Sequence, residues 1–253
     1  MQTISRAILL LRCFEEGADS IPLAELTRRA GLNKVTTYRL AEALVKEGLL
    51  NKSADSSFYS ISYGLISLGR ALLDPLGLIS SAQPILKAVQ EATGETAIIN
   101  LREGQYAVVL GEILSPQPVR FSLGLGYRVD LRVGAAGWAI LSKMQDWEVR
   151  DILESSAVLH ADGSTMQVSE IEAGLSQTSE RGFAMTNSQR VRDAAGYAAP
   201  FLGPGGVVAG SLAVIMPSSR NKKAERQELF INTICRAASD LTSLLGATPD
   251  NNQ

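Results

Sequence analysis

Between residues 33 and 39 the chain sets an amide, two hydroxyls and two cations close together: Asn33, Lys34, Thr36, Tyr38 and Arg39. Groups of this kind bind phosphate oxygens, and when carried on a helix they reach the edges of bases. Val35 adds an apolar contact of the sort a thymine methyl accepts, and Lys52, farther on, adds a charge suited to a phosphate. Other chemistry is poorly supplied. Cys13 and Cys235 lie 222 positions apart without a CxxC, and His160 is the sole histidine. Thiolate or imidazole cages therefore lack ligands, and neither a metal nor a cofactor is expected. His160 precedes Asp162-Gly163 in a polar loop with no nucleophile identifiable nearby, which reads as a solvated surface histidine. Gly124-Leu-Gly126 lacks the third glycine of a dinucleotide fingerprint, and the Ser219 to Lys222 SxxK spacing lacks its companion motifs. The basic run Arg220-Asn-Lys-Lys223 reads as a charged loop before the last helix. No catalytic residue is assigned.

The elements that must carry residues 33–52 follow from periodicity. Ile4 to Phe14 sets Ile4, Ala7, Ile8, Leu11 and Phe14 on one helical stripe, closed by Glu15-Glu-Gly17. Ile21-Pro22-Leu23 opens a second helix to Ala30, with Leu23, Leu26 and Ala30 in phase. Gly31 ends it, and Asn33 is placed to cap the third helix, about Lys34 to Glu47. That helix turns Thr37, Leu40, Ala41 and Leu44 inward and Lys34, Val35, Tyr38, Arg39 and Glu42 outward. Leu49 to Lys52, the turn Ser53 to Ser57, and Phe58 to Ile61 form a hairpin. A helix-turn-helix followed by a hairpin is a winged helix-turn-helix, a DNA-binding arrangement. The competing reading is a three-helix packing module with a solvated polar face.

At 253 residues the chain has room for one or two domains, and 45% hydrophobic with 20% charged residues is ordinary globular composition. Net charge is −2, but it divides as +2 over residues 1–70 and −4 over the remainder. That sign asymmetry suits a polyanion-binding head on an acidic body. The unpaired cysteines and the short apolar run Ala7 to Leu11, too short for a secretory core, predict a cytoplasmic protein. Ala194 to Ser219 is uncharged over 26 residues, long enough to span a bilayer. Pro200, Pro204 and three glycines break it, so two buried strands, Gly196 to Leu202 and Val207 to Ile215, are expected and no membrane contact.

Gly64 to Leu73, with Leu65, Leu68 and Leu72 in phase, predicts a helix leading away from the head, broken by Asp74-Pro75-Leu-Gly77. Ile79 to Thr93 restarts a helix. Strands are expected at Thr96 to Leu101, Tyr106 to Glu112, Val119 to Leu123, Arg128 to Val133 and Phe183 to Ser188. The small-residue stretch Gly134 to Gly137 precedes a helix from Trp138 to Lys143; further helices fall near Trp147 to Leu153, Ser169 to Arg181 and Ala224 to Leu245. The fold class is α+β. Three segments result: a winged helix-turn-helix domain at 1–63, a linker helix at 64–78, and a second domain at 79–253.

This order of parts resembles the IclR family of bacterial transcription regulators over nearly the whole chain. The resemblance rests on Ser5-Arg6-Ala7, Leu23-Ala-Glu-Leu26 and Gly31-Leu-Asn-Lys-Val-Thr-Thr-Tyr-Arg-Leu40 in the head. The body adds Thr93-Gly-Glu-Thr96, Gly134-Ala-Ala-Gly137, Arg181-Gly-Phe-Ala184, Ala198-Ala-Pro200 and Met216-Pro-Ser-Ser-Arg220. It implies a DNA-binding homodimer, often a dimer of dimers, and two heads on a symmetric dimer predict operator DNA with an inverted repeat. Its acidic, GAF-like C-terminal domain binds a small organic effector and adjusts operator affinity.

Departures from the family pattern bear on what is sensed. Asp130-Leu131-Arg132 stands where the family often has Pro-Leu-His, Gln189 where it is acidic, Gly196 where it has Cys or a small polar residue, and Ala213-Val-Ile215 where it has Ser-x-Ser. By this resemblance Leu131, Ala135, Ala136, Gly196, Ala213 and Ile215 form apolar walls, with Asn100, Arg132 and Gln189 as candidates to orient a polar head. A two- or three-carbon oxoacid loses hydroxyl partners there, at about 0.5–1.5 kcal/mol each, so an aromatic carboxylate or related ring compound is expected. Two other classes are weighed. A winged-helix head fused to an enzyme, as in biotin ligases, needs a glycine- and arginine-rich nucleotide loop that has no match here. A purely structural dimerisation module predicts a sheet without a cavity.

Overall fold

The computed structural model describes residues 2–15, 17, 19–53, 57–69, 78–155 and 157–247. They form two compact units, Met1–Pro75 and Leu76–Gln253.

In the first unit α1 (Gln2–Arg12), β1 (Ile21–Pro22), α2 (Leu23–Ala30) and α3 (Lys34–Lys46) precede a hairpin of β2 (Leu50–Lys52) and β3 (Phe58–Ile61), and α4 (Gly64–Gly69) follows. Gly31 closes α2 in the left-handed region (φ 61°), with its N–H turned back to the carbonyl of Arg28. Asn33 then stays extended, and its Oδ1 accepts the Thr36 N–H at 2.9 Å. This cap starts α3 where the sequence placed it, and it satisfies a donor that would otherwise be orphaned. Leu10, Leu26, Ala41, Leu50 and Tyr59 meet in a small core.

Two local expectations are corrected. The packed face of α1 carries the expected Ala7 and Leu11 together with Leu10, and Cys13 and the expected Phe14 continue it just beyond the helix end, whereas Ile4 (73% exposed) and Ile8 (46%) face outward. The helix is apolar around much of its circumference, so period alone could not select the face. Ile21 and Pro22 lead into α2, with Pro22 at its N-cap, but they are also a short strand that was not expected: they pair antiparallel with Tyr59 and Phe58, making a three-stranded sheet in the order β1-β3-β2. Two residues are too few for alternation to register. The tip of the expected turn at 54–56, Glu16, Leu72 and the expected break at 74–77 lie outside the described residues.

The second unit begins with α5 (Leu78–Thr93), β4 (Thr96–Glu103), β5 (Tyr106–Ile113) and β6 (Arg128–Asp130). Next come α6 (Gly134–Leu141), α7 (Asp146–Leu153), α8 (Val168–Arg181), β7 (Ala184–Asn187), β8 (Ala194–Leu202), β9 (Val208–Pro217) and α9 (Ala224–Leu244). One six-stranded antiparallel sheet, ordered β6-β5-β4-β9-β8-β7, results. The uncharged stretch at 194–219 thus supplies β8 and β9, and no described helix is long and apolar enough to cross a membrane. Strand alternation assigns the two faces. Ile99, Tyr197, Phe201, Leu212 and Val214 pack with Leu86, Phe230 and Ile234 of α5 and α9. Each such side chain contributes roughly 1.5–3 kcal/mol when fully buried. On the opposite face Ala198 and Ala213 meet Ala135, Trp138 and Ala139 of α6.

The small-residue run at 134–137 is the first turn of α6, not its prelude. A Cβ at Gly137 would lie 2.2 Å from the carbonyl oxygen of Leu131, so only glycine lets the helix approach that strand end. Val119 to Leu123 forms no strand. Side chains satisfy this segment in place of a ladder. Thr96 Oγ1 donates to Phe121 O at 2.8 Å, Arg220 donates to Val119 O at 2.9 Å, and the Leu123 N–H donates to Glu112 at 3.0 Å. Arg220, expected in a solvated basic loop, also lies 2.9 Å from Glu95, which is 1% exposed and 3.0 Å from Arg226. Burial pushes the Glu95 carboxyl up from its ordinary range, against the pull of both guanidiniums.

Candidate functional site

On α3 the core takes Thr37, Ala41 and Leu44, and the opposite side carries Asn33, Lys34, Val35, Tyr38 and Arg39, all exposed, with Thr36 partly buried. Thr37 Oγ1 donates to Asn33 O at 3.0 Å, which ties the buried hydroxyl to the start of the helix. Among the described residues neither Lys34 nor Arg39 has a carboxylate at ion-pair distance. Lys52 differs. Its Nζ lies 2.7 Å from Glu42 Oε1, which also accepts the Tyr59 hydroxyl at 2.8 Å, and 5.2 Å from the centre of the Tyr38 ring. The wing is thereby tied to the helix. The Lys52 hydrogen bond, then that of Tyr59, holds the Glu42 carboxyl below its ordinary range, and Glu42 in turn raises the Lys52 ammonium. Burial first, and then Glu42, pushes the Tyr59 phenol up to about 12.

In the second unit a cavity of about 70 Å³ lies between the α6 face of the sheet and the segment leading into β6. Asn100 of β4, Ala213 and Ile215 of β9 and Gly196 of β8 supply its floor; Ala135, Ala136 and Gln189 line its side. Register explains the floor: Gly196 sits opposite Ile215 and Thr186, and Ala213 opposite Ile98 and Ala198. A Cβ at Gly196 would meet its nearest atoms at 3.6 Å or more, so the glycine leaves volume that the fold does not require to be empty.

The polar groups are largely committed. Gln189 Oε1 accepts the Gly134 N–H at 2.7 Å and Thr186 Oγ1 accepts the Ala135 N–H at 3.1 Å, so these two side chains cap α6. Asn100 makes long contacts with Ser211, at 3.4 Å to its hydroxyl.

Two expected lining residues are elsewhere. Leu131 is packed with Ile140 and Leu141. Arg132 is closed on Asp130 at 2.7 Å, while its carbonyl accepts the Trp138 indole N–H at 2.9 Å. Asp130, two positions earlier, captures the guanidinium before it can reach the cavity. The charged lining residue is Arg190, unforeseen in the sequence, and Leu123, Val129 and Thr186 are among the further residues of the wall. The adjacent Gln189 was the available signal, since a turn that aims one residue at a cavity brings its neighbour to the rim.

Chemistry elsewhere is sparse. His160 Nε2 lies 3.0 Å from Glu170 Oε2 with 21% of its side chain exposed, so it is partnered rather than freely solvated. Among the described residues no group of three His, Cys, Asp or Glu could hold a metal ion. Cys13 Sγ donates to Leu9 O at 3.3 Å, and burial pushes the Cys235 thiol up.

A helix-turn-helix with a wing on one unit and a cavity in an α+β second unit define a DNA-binding transcription regulator with a sensing domain. Residues 3–54 match the IclR helix-turn-helix domain, and residues 70–243 match the family described as bacterial transcriptional regulator IclR C-terminal. The chain belongs to the IclR family, whose members are regulators and not enzymes. It is 26% identical to the acetate operon repressor of Salmonella typhimurium over 75% of this chain and 70% of that protein. With the HTH-type transcriptional repressor AllR of Escherichia coli K12 the identity is 24%, over 97% and 90%. A regulator of this family from Alicyclobacillus acidocaldarius superposes with a TM-score of 0.81 at 21% identity, over 97% of this chain and 99% of that one. An IclR homologue from Microbacterium hydrocarbonoxydans in complex with 4-hydroxybenzoate gives 0.80 at 19%, over 96% and 99%.

Proposed function

We propose that this regulator represses transcription from an inverted-repeat operator, and that a small organic acid bound in the cavity of the second unit sets its operator affinity. The observation that carries the sensing half is a cavity whose floor sets Gly196, Ala213 and Ile215 beside Asn100, apolar at the three positions where a small-acid sensor needs hydroxyls. Residues 1–63 are assigned to DNA, 64–78 to the linker helix, and 79–253 to the effector and to oligomerisation. Asn33, Lys34, Val35, Thr36, Tyr38 and Arg39 meet the major groove, and Lys52 meets a phosphate after exchanging Glu42 for it. One such head makes too few base contacts for genomic specificity, hence a homodimer, able to pair into a dimer of dimers. The exposed Ile4 and Ile8 are consistent with a further interface. The setting is the cytoplasm.

The effector is an aromatic carboxylate or a related ring compound. Support comes from the apolar floor and from the 4-hydroxybenzoate complex of a protein with the same fold. Size argues for a second reading. A dry cavity that admits benzene measures about 150 Å³, so a ring enters this one only if the wall yields. The side-chain-tethered segment at 119–123, whose Leu123 closes the cavity, is the part that can give way. A two- or three-carbon oxoacid needs no such movement.

Calorimetry on the full chain with 4-hydroxybenzoate and with pyruvate decides between them, and operator binding with and without the bound acid tests the regulation. Ala213→Leu and Ala136→Leu are expected to abolish the effector response while leaving effector-free operator binding unchanged. An effector response surviving both substitutions would refute the cavity as its site.

A further inference from the structure

Arg190 sits in the turn between β7 and β8, and that turn is held unusually firmly. Ser188 (φ 52°) and Asp193 (φ 60°) are both left-handed without being glycine, a conformation that persists only where surrounding bonds impose it. Here they do: Ser188 N–H donates to Ala194 O at 2.7 Å, Ala161 N–H to Gln189 O at 2.8 Å, and Ser218 N–H to Asp193 O at 2.8 Å. The turn delivers Gln189 and Arg190 to the cavity wall together. Gln189 is spent on capping α6. Arg190 lays its stem against Gly134 and its guanidinium 5.9 Å from the centre of the Tyr127 ring.

No carboxylate lines the cavity, and none among the described residues pairs with Arg190. Two acids that adjoin the lining residues Leu123 and Val129 are engaged elsewhere: Glu112 accepts from the Leu123 and Gly124 N–H groups, and Asp130 is closed on Arg132. Burial lowers the Arg190 pKa, as expected of a cation short of both water and counter-charge. A partly buried cation of this kind is stabilised by an anion that completes the pair, and a guanidinium matches a carboxylate through two parallel hydrogen bonds. Phosphate fits less well. The Gly134 and Ala135 N–H groups, the donors that its further oxygens would need, are already taken by Gln189 and Thr186.

We propose that Arg190 is the charge anchor of the effector: its guanidinium binds the carboxylate of an acid whose remainder lies on the floor formed by Gly196, Ala213 and Ile215. Tyr127 is a positioning residue that holds the guanidinium at the rim. The inference rests on the cavity being the effector site, and it holds for a ring acid and for a short oxoacid alike, because both present the same carboxylate.

The test is isothermal titration of the full chain, wild type and Arg190→Met, with 4-hydroxybenzoate, pyruvate and the neutral analogue 4-hydroxybenzamide. Wild type is expected to prefer its acid over the amide by about 30-fold or more, the lower end for truncating one side of a buried charge pair. Arg190→Met is expected to bind the acid no better than the amide, with the amide affinity changed by less than about threefold, which shows the cavity intact. Arg190→Lys, which keeps the charge but not the fork, is expected to retain a reduced preference for the acid. Acid binding unchanged in Arg190→Met overturns the anchor and leaves the cavity reading standing. A wild type that binds neither acid overturns the cavity reading itself.

Discussion

The two units treat their unpaired cations in opposite ways. In the head, Lys34 and Arg39 stand exposed on one face of α3, the face proposed to meet a polyanion that brings many charges at once. In the body, Arg190 is one guanidinium in a wall of small and apolar residues, where a single charge completes the site. Exposed charges are screened by salt and gain from release of counterions along a duplex; a sheltered pair is screened far less. On the proposed reading, the same residue type serves a salt-sensitive, extended interface in one unit and a salt-tolerant, compact one in the other.

Glycine sharpens the contrast most. Gly137→Ala would force a methyl to within 2.2 Å of a backbone oxygen, and we expect a loss of about 3 kcal/mol from the body. Gly31→Ala in the head meets nothing within 4 Å and bears only the left-handed strain, about 1–2 kcal/mol. Both tryptophans, Trp138 and Trp147, lie in the body, so tryptophan fluorescence in urea reads the Gly137→Ala effect in that unit, and amide hydrogen exchange of the head in the same urea series reads the Gly31→Ala effect there. Equal destabilisation by the two substitutions would erase the distinction.

Salt comes next in size. If four phosphates are neutralised, operator affinity should fall by about a hundredfold between 50 and 200 mM salt, whereas effector affinity should change by less than about threefold. Parallel slopes for the two ligands would break the comparison. Within the head, Arg39→Ala is expected to cost about 1–3 kcal/mol on the specific operator alone, and Lys52→Ala to weaken all sequences alike and flatten the salt slope. Competition binding against scrambled DNA separates these two outcomes.

The smallest expected effect is the Glu42–Lys52 pair. It is solvent-accessible, so a double-mutant cycle should give no more than about 1 kcal/mol. Because the folded-state pKa of Glu42 is lowered, this contribution is present above the ordinary carboxylate value of 4.5 and is lost as pH falls through the lowered one. A coupling that grows on acidification would contradict the assignment.

What could be read without coordinates was whatever lies along one helix or one strand. The cap at Asn33, the inward Thr37, Ala41 and Leu44, the wing, and the two uncharged strands each depend on neighbours a few residues away, and the periods of helix and strand encode them. The same reasoning was only partly right for α1, where Ala7, Leu11 and Phe14 pack as expected but Ile4 and Ile8 face outward, and it missed β1, which exists only because β3 arrives beside it.

The sensing site is the stronger case. Small residues at 135, 136, 196 and 213 could be placed near one another by resemblance, yet which cation they meet was decided by tertiary contacts. Arg132 is withdrawn by Asp130, and Arg190 is delivered by a turn pinned to Ala161 and Ser218. Sequence by itself determined most of the elements, the family and the chemistry of the exposed helix, because local spacing suffices for a surface on one element. The cavity's charge and volume were decided only in the fold, because they depend on which side chains from distant strands and turns satisfy one another first.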